Sequence, residues 1–278
     1  MANKANFLRK SIQFILALFT LSLYALGGIF YYFLPLGGIQ KRKVRIYCGH
    51  LLSKVMLYCI GVEVVVQGEV DPSQGKLVVA NHTSVLDLVI LSAFSPSVFV
   101  TSVEIEKTPV LSFLAKTAGV IFIERRNRDR VEFDREQIRR ILLQGFNVVL
   151  FPEGTSTNGS QVLRFKSGLF PAAAEIRAPI EPICLYFESR GGQPITAENE
   201  DQVYYFGDHQ IQNHLFNIFT NPKVKVQLKV LPIVRSSPEA DVNGLANECR
   251  DRIAEAYEMQ KKSVPSQTSG VQLMPILN

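Results

Sequence analysis

The sequence predicts an α/β domain, a mixed sheet flanked by helices, that follows an N-terminal helical segment suited to anchoring the chain in a membrane. Three observations support this fold class. Residues 11–40 contain no Asp, Glu, Lys or Arg. From Gly61 onward, short runs rich in valine and isoleucine alternate with segments of helical periodicity, as in layered α/β domains. Several of these runs end in polar side chains, and strand ends are where α/β folds place their ligands.

Composition limits the classes of partner. The 278 residues suffice for one substantial domain with an appendage, and the net charge is +5. No nucleic-acid-binding motif is present, so we expect an anionic membrane surface rather than nucleic acid as the basic chain's partner. The four cysteines have neither paired nor zinc-ligand spacing, and this indicates free buried thiols and no metal.

The uncharged stretch over residues 11–40 is long enough for a membrane helix, which needs about 20 apolar residues. A cleaved signal peptide is the alternative, with Ala25-Leu26-Gly27 as its cleavage site. We favour retention because the apolar run continues to Leu34. Basic residues flank both ends, so spanning and re-entrant arrangements, the latter bent near Gly27-Gly28, both remain open.

The pattern of apolar and basic residues over 41–60 predicts an amphipathic helix. Such a helix either lies among lipid headgroups or packs on the domain core, and the sequence favours neither. The apolar stripe recurs at steps of three and four: Val44, Cys48, Leu51, Val55 and Tyr58.

We assign residues 1–60 to the membrane segment and amphipathic helix, 61–262 to the α/β domain and 263–278 to a flexible tail. The apolar stretch at 273–277 is suited to membrane contact. Strands are predicted at 62–66, 77–80, 98–100, 121–123, 148–151, 183–187 and 224–230, and helices at 131–144 and 244–260.

The segment from Asn81 to Asp87 carries the first chemical signal. His82 follows a buried strand directly, at the edge of the sheet where ligands bind. Asp87 is five residues on, so the two side chains meet only if His82 precedes the helix, with Thr83-Ser84 as its cap. Asp87 then fixes the imidazole tautomer and leaves the other nitrogen to accept a proton. A structural histidine beside a helix-start aspartate is the alternative.

Three further clusters follow buried runs. Arg125 ends the run that begins at Gly119, and its guanidinium is suited to a phosphate, although a solvated basic loop is the alternative. Glu153 lies in the turn between Pro152 and Gly154, where an ordinary capping acid is the alternative. The loop containing Pro179 and Pro182 is most simply structural.

In this order, the four blocks resemble the lysophospholipid acyltransferase family, whose best-known members are 1-acylglycerol-3-phosphate acyltransferases. The resemblance covers about residues 61–190 and implies a glycerolipid acyltransferase-type domain. Its motif positions in this chain are Asn81, His82 and Asp87; Gly119, Ile121, Phe122, Ile123 and Arg125; Phe151 to Thr155; and Pro179 and Pro182.

The resemblance implies that His82 acts as general base and Asp87 orients it, with no acyl-enzyme, no metal and no bound cofactor. It implies a fatty acyl group moving from acyl-coenzyme A or acyl carrier protein to a lysophospholipid hydroxyl, with 1-acylglycerol-3-phosphate as acceptor and phosphatidic acid as product. It also implies a bacterial inner membrane location with the catalytic domain on the cytoplasmic side. The substrate-binding candidates are Asn81, Arg125, Glu153, Gly154, Thr155 and, as a replacement cation, Lys166.

Two positions depart from the family pattern. Many members have an arginine at Ser156 and a lysine near Ser102, and both cations would bind an acceptor phosphate. Their absence weakens the case for a phosphomonoester acceptor. The runs 155–159 and 162–166 resemble the branch of the family that acylates lyso-ornithine lipids, so lyso-ornithine lipid is the alternative acceptor. A non-catalytic lipid-binding protein is the alternative of another class, and the His82–Asp87 pair argues against it. The chain lacks the G-x-S-x-G elbow expected of a hydrolase.

Overall fold

Two long helices precede the sheet: α1 spans Ala2–Tyr32 and α2 spans Gly38–Ile60. They pack against each other, and α2 ends where Gly61 adopts a φ of 82° and donates its N–H to the Leu57 carbonyl. Among the described residues, no helix combines the length and the apolarity needed to span a bilayer. The computed structural model describes residues 2–32, 35–107, 109–124, 130–207, 210–220, 223–263 and 272–274.

Helix α2 turns its predicted apolar stripe away from the core. Leu51 and Tyr58 are 61% and 49% exposed, and Val44 and Cys48 are exposed as well. The residues that bury against the domain come from another side of the helix, chiefly Met56, Leu57, Cys59 and Ile60. Of the five stripe residues only Val55 packs against the core, so packing on the core, one of the two sequence interpretations, holds for that residue alone.

The described residues form one nine-stranded sheet in the order β4-β3-β5-β2-β6-β8-β1-β9, with β7 paired to β6. The strands from β4 to β6 run parallel, whereas β6 and β8 are antiparallel, so the predicted mixed sheet is confirmed. Their bounds are β1 Val62–Gln67, β2 Leu77–Ala80, β3 Ser97–Ser102, β4 Ile121–Ile123, β5 Asn147–Leu150, β6 Ile180–Arg190, β7 Gln193–Pro194, β8 Val224–Val230 and β9 Gln272–Leu273.

Helices cover both faces of the sheet. The central strand β2 is buried on both faces, with Leu77 and Val79 in one apolar core and Val78 and Ala80 in the other. The first core is closed by α5 (Val131–Leu143), α6 (Pro171–Ala174) and α8 (Val242–Lys262). The second is closed by α2, α3 (Leu86–Phe94) and α7 (Ile211–Thr220), and α4 (Pro109–Ala118) packs beside α2.

The chain's last described residues differ from the predicted flexible tail. Gln272 and Leu273 pair with Val66 and Val65 in antiparallel register, and Met274 donates its N–H to the Val64 carbonyl. The outer edge of β1 offers unpaired backbone groups, and a returning segment satisfies them. The rest of that tail lies outside the described residues, apart from Ser263.

Because β3, β5 and β2 are parallel neighbours, their carboxyl ends meet at one edge of the sheet. The segments that follow β2 and β5 carry His82 and Glu153. The opposite edge holds a buried ion pair, in which Lys76 Nζ lies 2.6 Å from Glu181 Oε1. The two edges therefore differ in chemistry, and the predicted site residues gather at only one.

Candidate active site

His82 and Asp87 are in direct contact. Strand β2 ends at Ala80 and α3 begins at Leu86, so His82 precedes the helix, as the five-residue spacing requires. His82 Nδ1 lies 2.8 Å from Asp87 Oδ2, and the Asp87 side chain is fully buried. An ionised carboxylate accepts only, so Nδ1 carries the proton and Nε2 presents its lone pair.

Asp87 is fixed by backbone donors as well. The N–H groups of Thr83 and Ser84 donate to the same Oδ2, at 2.7 and 2.9 Å. The Ser84 hydroxyl accepts the Leu86 N–H, but the N-cap of α3 is Val85 and has no side-chain capping hydrogen bond, so the predicted Thr83-Ser84 cap is wrong. A carboxylate in the first turn of a helix also interacts favourably with the helix dipole. The loop before α3 therefore holds the carboxylate that orients the imidazole.

The His82 ring stacks on an aromatic side chain and remains partly exposed. It stacks on Phe151 with 4.2 Å between ring centroids and 20° between planes. The side chain is 19% exposed, and no residue in the described ranges makes a hydrogen bond to Nε2. This nitrogen is therefore available to a group that enters from outside.

Glu153 connects three segments of the site. Its Oε1 accepts the His82 N–H at 2.8 Å and its Oε2 accepts the Leu163 N–H at 2.9 Å. Burial raises the pKa of the Glu153 carboxyl to about 7, and the two backbone N–H donors oppose that shift. Glu153 thus positions the His82 backbone, while its predicted contact with substrate stays a prediction.

Asn81 is buried, and both ends of its side-chain amide bond to β6. Its Nδ2 donates to the Leu185 carbonyl and its Oδ1 accepts the Leu185 N–H, both at 2.9 Å. This pairing secures the end of β2 against its neighbour. The predicted role of Asn81 in substrate binding stays a prediction.

The turn after β5 brings Gly154 and Lys166 together. Gly154 has a φ of 75°, and a Cβ built on it would lie 2.5 Å from Lys166 Nζ. The Lys166 N–H donates to the Pro152 carbonyl, which places its exposed side chain over the turn. Thr155 is exposed, and its hydroxyl donates to the Ser156 carbonyl.

The remaining predicted cation, Arg125, lies outside the described residues, two positions beyond the end of β4. The departures from the family pattern are placed, however. Ser102 is buried at the end of β3, where its hydroxyl accepts the Glu104 N–H, and Ser156 is half-buried beside Thr155. Neither position supplies a cation to the site.

Comparison with known proteins decides the family. A profile described as Acyltransferase matches residues 61–186. A lyso-ornithine lipid O-acyltransferase from Pseudomonas aeruginosa is 32% identical over 71% of this chain and 72% of its own length. A probable 1-acyl-sn-glycerol-3-phosphate acyltransferase from Mycoplasma genitalium is 30% identical over 80% of each chain. This chain belongs to the lysophospholipid acyltransferase family.

A solved structure agrees on the fold of this acyltransferase. The crystal structure of the 1-acyl-sn-glycerophosphate acyltransferase from Thermotoga maritima aligns with a TM-score of 0.67, covers 96% of this chain and 100% of its own, and is 20% identical. The profile match and the relatives confirm the family that four short blocks predicted, and with it the O-acyltransferase class. Within the described residues, no group of three or more His, Cys, Asp or Glu side chains is arranged to hold a metal ion.

The sequence analysis did not predict three residues that lie at or near the candidate site. Phe151 was part of a recognised block, but nothing indicated that its ring would support His82. His214 approaches Ser84 from α7, with 3.3 Å between its Nε2 and the Ser84 hydroxyl oxygen. Asp134, in the first turn of α5, is 2% exposed and lines a cavity at the carboxyl ends of β3 and β5. No local pattern distinguishes such an aspartate from an ordinary helix-start acid.

Proposed function

We propose that this acyltransferase moves a fatty acyl group from an acyl thioester to the hydroxyl of a lyso-lipid, with His82 as general base and Asp87 as the residue that orients it. The observation that supports this proposal most directly is the 2.8 Å contact between His82 Nδ1 and Asp87 Oδ2. It leaves Nε2 unprotonated on a ring that is partly open to the outside.

In the proposed reaction, Nε2 accepts the hydroxyl proton as the acceptor oxygen attacks the thioester carbonyl. The carbon–sulfur bond breaks, and the departing thiolate receives the proton back from His82. Asp87 stabilises the imidazolium that exists between these two transfers. Positioned general-base catalysis contributes about 10²–10⁴-fold, and holding donor and acceptor together contributes more.

The test is His82→Ala in the full-length protein, assayed with one acyl thioester and a panel of lyso-lipids. We expect turnover to fall by about 10²–10⁴-fold because the base is lost. His50→Ala is the matched control, since His50 contacts the Ser92 carbonyl near the other end of α3. Substantial turnover in the His82 variant, with wild-type thermal stability, contradicts the assignment.

The donor is proposed to be acyl-coenzyme A or acyl carrier protein, and no cofactor or metal takes part. Parallel assays with the two thioesters separate the donors. Loss of activity after dialysis against a chelator contradicts the metal-free mechanism.

Two acceptors are candidates, and each is named for one of the relatives. The first is 1-acylglycerol-3-phosphate, which gives phosphatidic acid. The second, lyso-ornithine lipid, is favoured by Ser102 and Ser156, because serines stand where many family members bring phosphate-binding cations. A lost charge-assisted hydrogen bond costs roughly 1.5–3 kcal/mol. Competition between the two acceptors in one assay ranks them directly.

We further propose that the enzyme works at a membrane, the bacterial inner membrane, with its catalytic domain on the cytoplasmic side and α1 as its anchor. Exposed apolar side chains on α1 and the outward stripe of α2 support this, since such side chains gain by burial in lipid. On α1 those that are at least half exposed are Ile12, Ile15, Leu18, Phe19, Leu23 and Leu26.

A further inference from the structure

A small cavity of about 130 Å³ lies at the carboxyl ends of β3, β4 and β5, between the start of α5 and the segment around Lys166. Its walls are largely apolar, with Val100, Ile123 and Leu150 from the three strands. At roughly 30 Å³ per water molecule, the space holds about four waters or a short polar chain. A fatty acyl chain does not fit it.

The cavity contains a buried carboxyl that lacks a full set of partners. Asp134 is 2% exposed and receives the Glu124 backbone N–H, yet its Oδ1 has no hydrogen-bond partner among the described residues. Burial raises the pKa of this carboxyl, while Arg130 and the Glu124 N–H lower it. Buried carboxylates are normally paired with a donor or a cation, so this oxygen is a vacant acceptor.

A cation lines the same cavity without an ion-pair partner. No carboxylate in the described ranges lies within ion-pair distance of the Lys166 ammonium, which sits over Gly154. Among the described residues, the cavity is therefore lined by a buried carboxyl with one unsatisfied oxygen, Asp134, and by one cation, Lys166, and these two groups do not pair with each other. A ligand that satisfies both carries a positive and a negative group on a short chain.

We propose that this cavity binds the headgroup of a zwitterionic lyso-lipid, with the ligand's ammonium on Asp134 and its carboxylate on Lys166. An ornithine headgroup linked through its α-amine has these two groups, separated by three methylenes and the α-carbon. The proposal rests on the proposed acyl transfer and assigns the acceptor class and its site.

The location suits an acceptor site because Phe151 lines the cavity and also stacks on the His82 ring. A headgroup held here lies on one side of the aromatic ring that supports the base. The lipid's hydroxyl then needs only to reach the neighbouring imidazole.

The charges of the described lining residues disfavour a phosphate monoester in this cavity. Among these residues, Glu124 and Asp134 are acidic and Lys166 is the only cation. Arg130 also acts on the Asp134 carboxyl, and its guanidinium lies over the Phe133 ring in a separate cleft. A dianionic phosphate would meet two carboxylates, whereas an ammonium relieves the cost of burying one of them.

The experiment compares lyso-ornithine lipid and 1-acylglycerol-3-phosphate as acceptors for the full-length enzyme in detergent, with one acyl thioester donor. For Asp134→Asn, which keeps the side chain's shape and removes its charge, we expect kcat/KM for lyso-ornithine lipid relative to the phosphate acceptor to fall about 10- to 100-fold. For Lys166→Gln, a change to an exposed side chain, we expect the KM for lyso-ornithine lipid to rise at least tenfold. Nα-acetylornithine should inhibit the wild-type enzyme competitively, and glycerol 3-phosphate should inhibit it less.

The matched control is Glu132→Gln, an exposed acid two residues from Asp134 that pairs with Arg135 outside the cavity. An acceptor ratio that stays at the wild-type value in both cavity variants overturns the proposal. So does a wild-type enzyme that prefers the phosphate acceptor and ignores Nα-acetylornithine. Wild-type transfer to neither acceptor overturns the proposed acyl transfer itself, so the two failures are distinguishable.

Discussion

Asp87 shows how one side chain can serve the fold and the chemistry together. Three donors converge on its Oδ2: the imidazole of His82 and the backbone N–H groups of Thr83 and Ser84. The carboxylate accepts all three hydrogen bonds, and its contact with Nδ1 selects the tautomer that leaves Nε2 free. The loop conformation and the tautomer of His82 are therefore set by the same oxygen.

Glu153 yields a prediction about stability and pH. Because burial raises its pKa to about 7, the native state keeps the proton at pH values where the unfolded chain releases it, near the ordinary glutamate pKa of 4.5. Stability from this group is thus fully present below about pH 4.5 and is lost as the pH rises toward about 7. The loss amounts to as much as ~3 kcal/mol, at 1.36 kcal/mol per pKa unit.

Urea unfolding of the wild-type protein and of Glu153→Gln between pH 4.5 and 8 measures this contribution. Glutamine has one acceptor oxygen for two N–H donors, so the variant is less stable at low pH. Its disadvantage should shrink as the pH rises through this window. Parallel stability curves for the two proteins would show that Glu153 does not titrate there.

At the scale of elements, the turn after β5 depends on Gly154. Its φ of 75° is strained for any residue with a Cβ, and that Cβ would collide with Lys166 Nζ. Gly154→Ala should cost about 1–2 kcal/mol of unfolding free energy from the backbone alone. It should also displace Lys166 and raise the KM for the lipid acceptor.

Gly192→Ala separates the two effects. Gly192 has a φ of 82° with no atom near its missing Cβ, so the substitution brings similar strain without touching Lys166. We expect comparable losses in thermal stability for the two variants but a changed acceptor KM only for Gly154→Ala. Equal kinetic effects in both variants would rule out the role given to Lys166.

The elements that sequence predicted well are those with a strong local pattern. Strands β2 and β8 and the end of α5 before Gly145 agree with the prediction to within about a residue, because continuous or alternating apolar runs and a positive-φ glycine mark them. Helices α4 and α7 were not predicted. Strand β6 extends further than its apolar run, since pairing with β8 continues beyond Phe187.

The same distinction holds for the candidate site: positions near strand ends could be predicted, whereas contacts between distant segments could not. His82, Asp87 and Glu153 are close in sequence to strand ends, so their meeting at one edge followed from parallel topology. The partner of Asn81 is Leu185, 104 residues away, and the cavity around Asp134 is lined by five separate segments. Contacts of that range depend on the packed structure and have no signature in a local window.

At the scale of the whole molecule, the two edges of the sheet carry different groups: a buried ion pair lies at one edge and the candidate site at the other. Lys76 and Glu181 pair at the edge opposite His82, and both side chains are at most 3% exposed. Lys76→Met leaves Glu181 buried without its cation, which should cost about 3–5 kcal/mol of unfolding free energy. Because the site lies at the other edge, kcat of the folded fraction should remain within about twofold.

The double variant Lys76→Met with Glu181→Met tests the cause. Replacing both charges removes the unpaired carboxyl, so we expect most of the lost stability to return. Urea unfolding and acyl-transfer assays on the same preparations measure both quantities. A large drop in kcat at full folding would show that the two edges are coupled.

The proposed attachment of the enzyme to a membrane through α1 and α2 can be tested on the exposed face of α2. Leu51 lies in the middle of the outward stripe of α2 and is 61% exposed. Burying a leucine side chain in an apolar phase is worth about 1.5–3 kcal/mol, and a new carboxylate near an anionic surface opposes binding by about 1 kcal/mol. Leu51→Glu should therefore reduce binding to anionic vesicles at least tenfold, measured by co-sedimentation, with an unchanged melting temperature.

Val70→Glu, at a 55% exposed valine before β2, is the matched control. Equal loss of vesicle binding in both variants would mean that general charge, and not the α2 stripe, governs attachment.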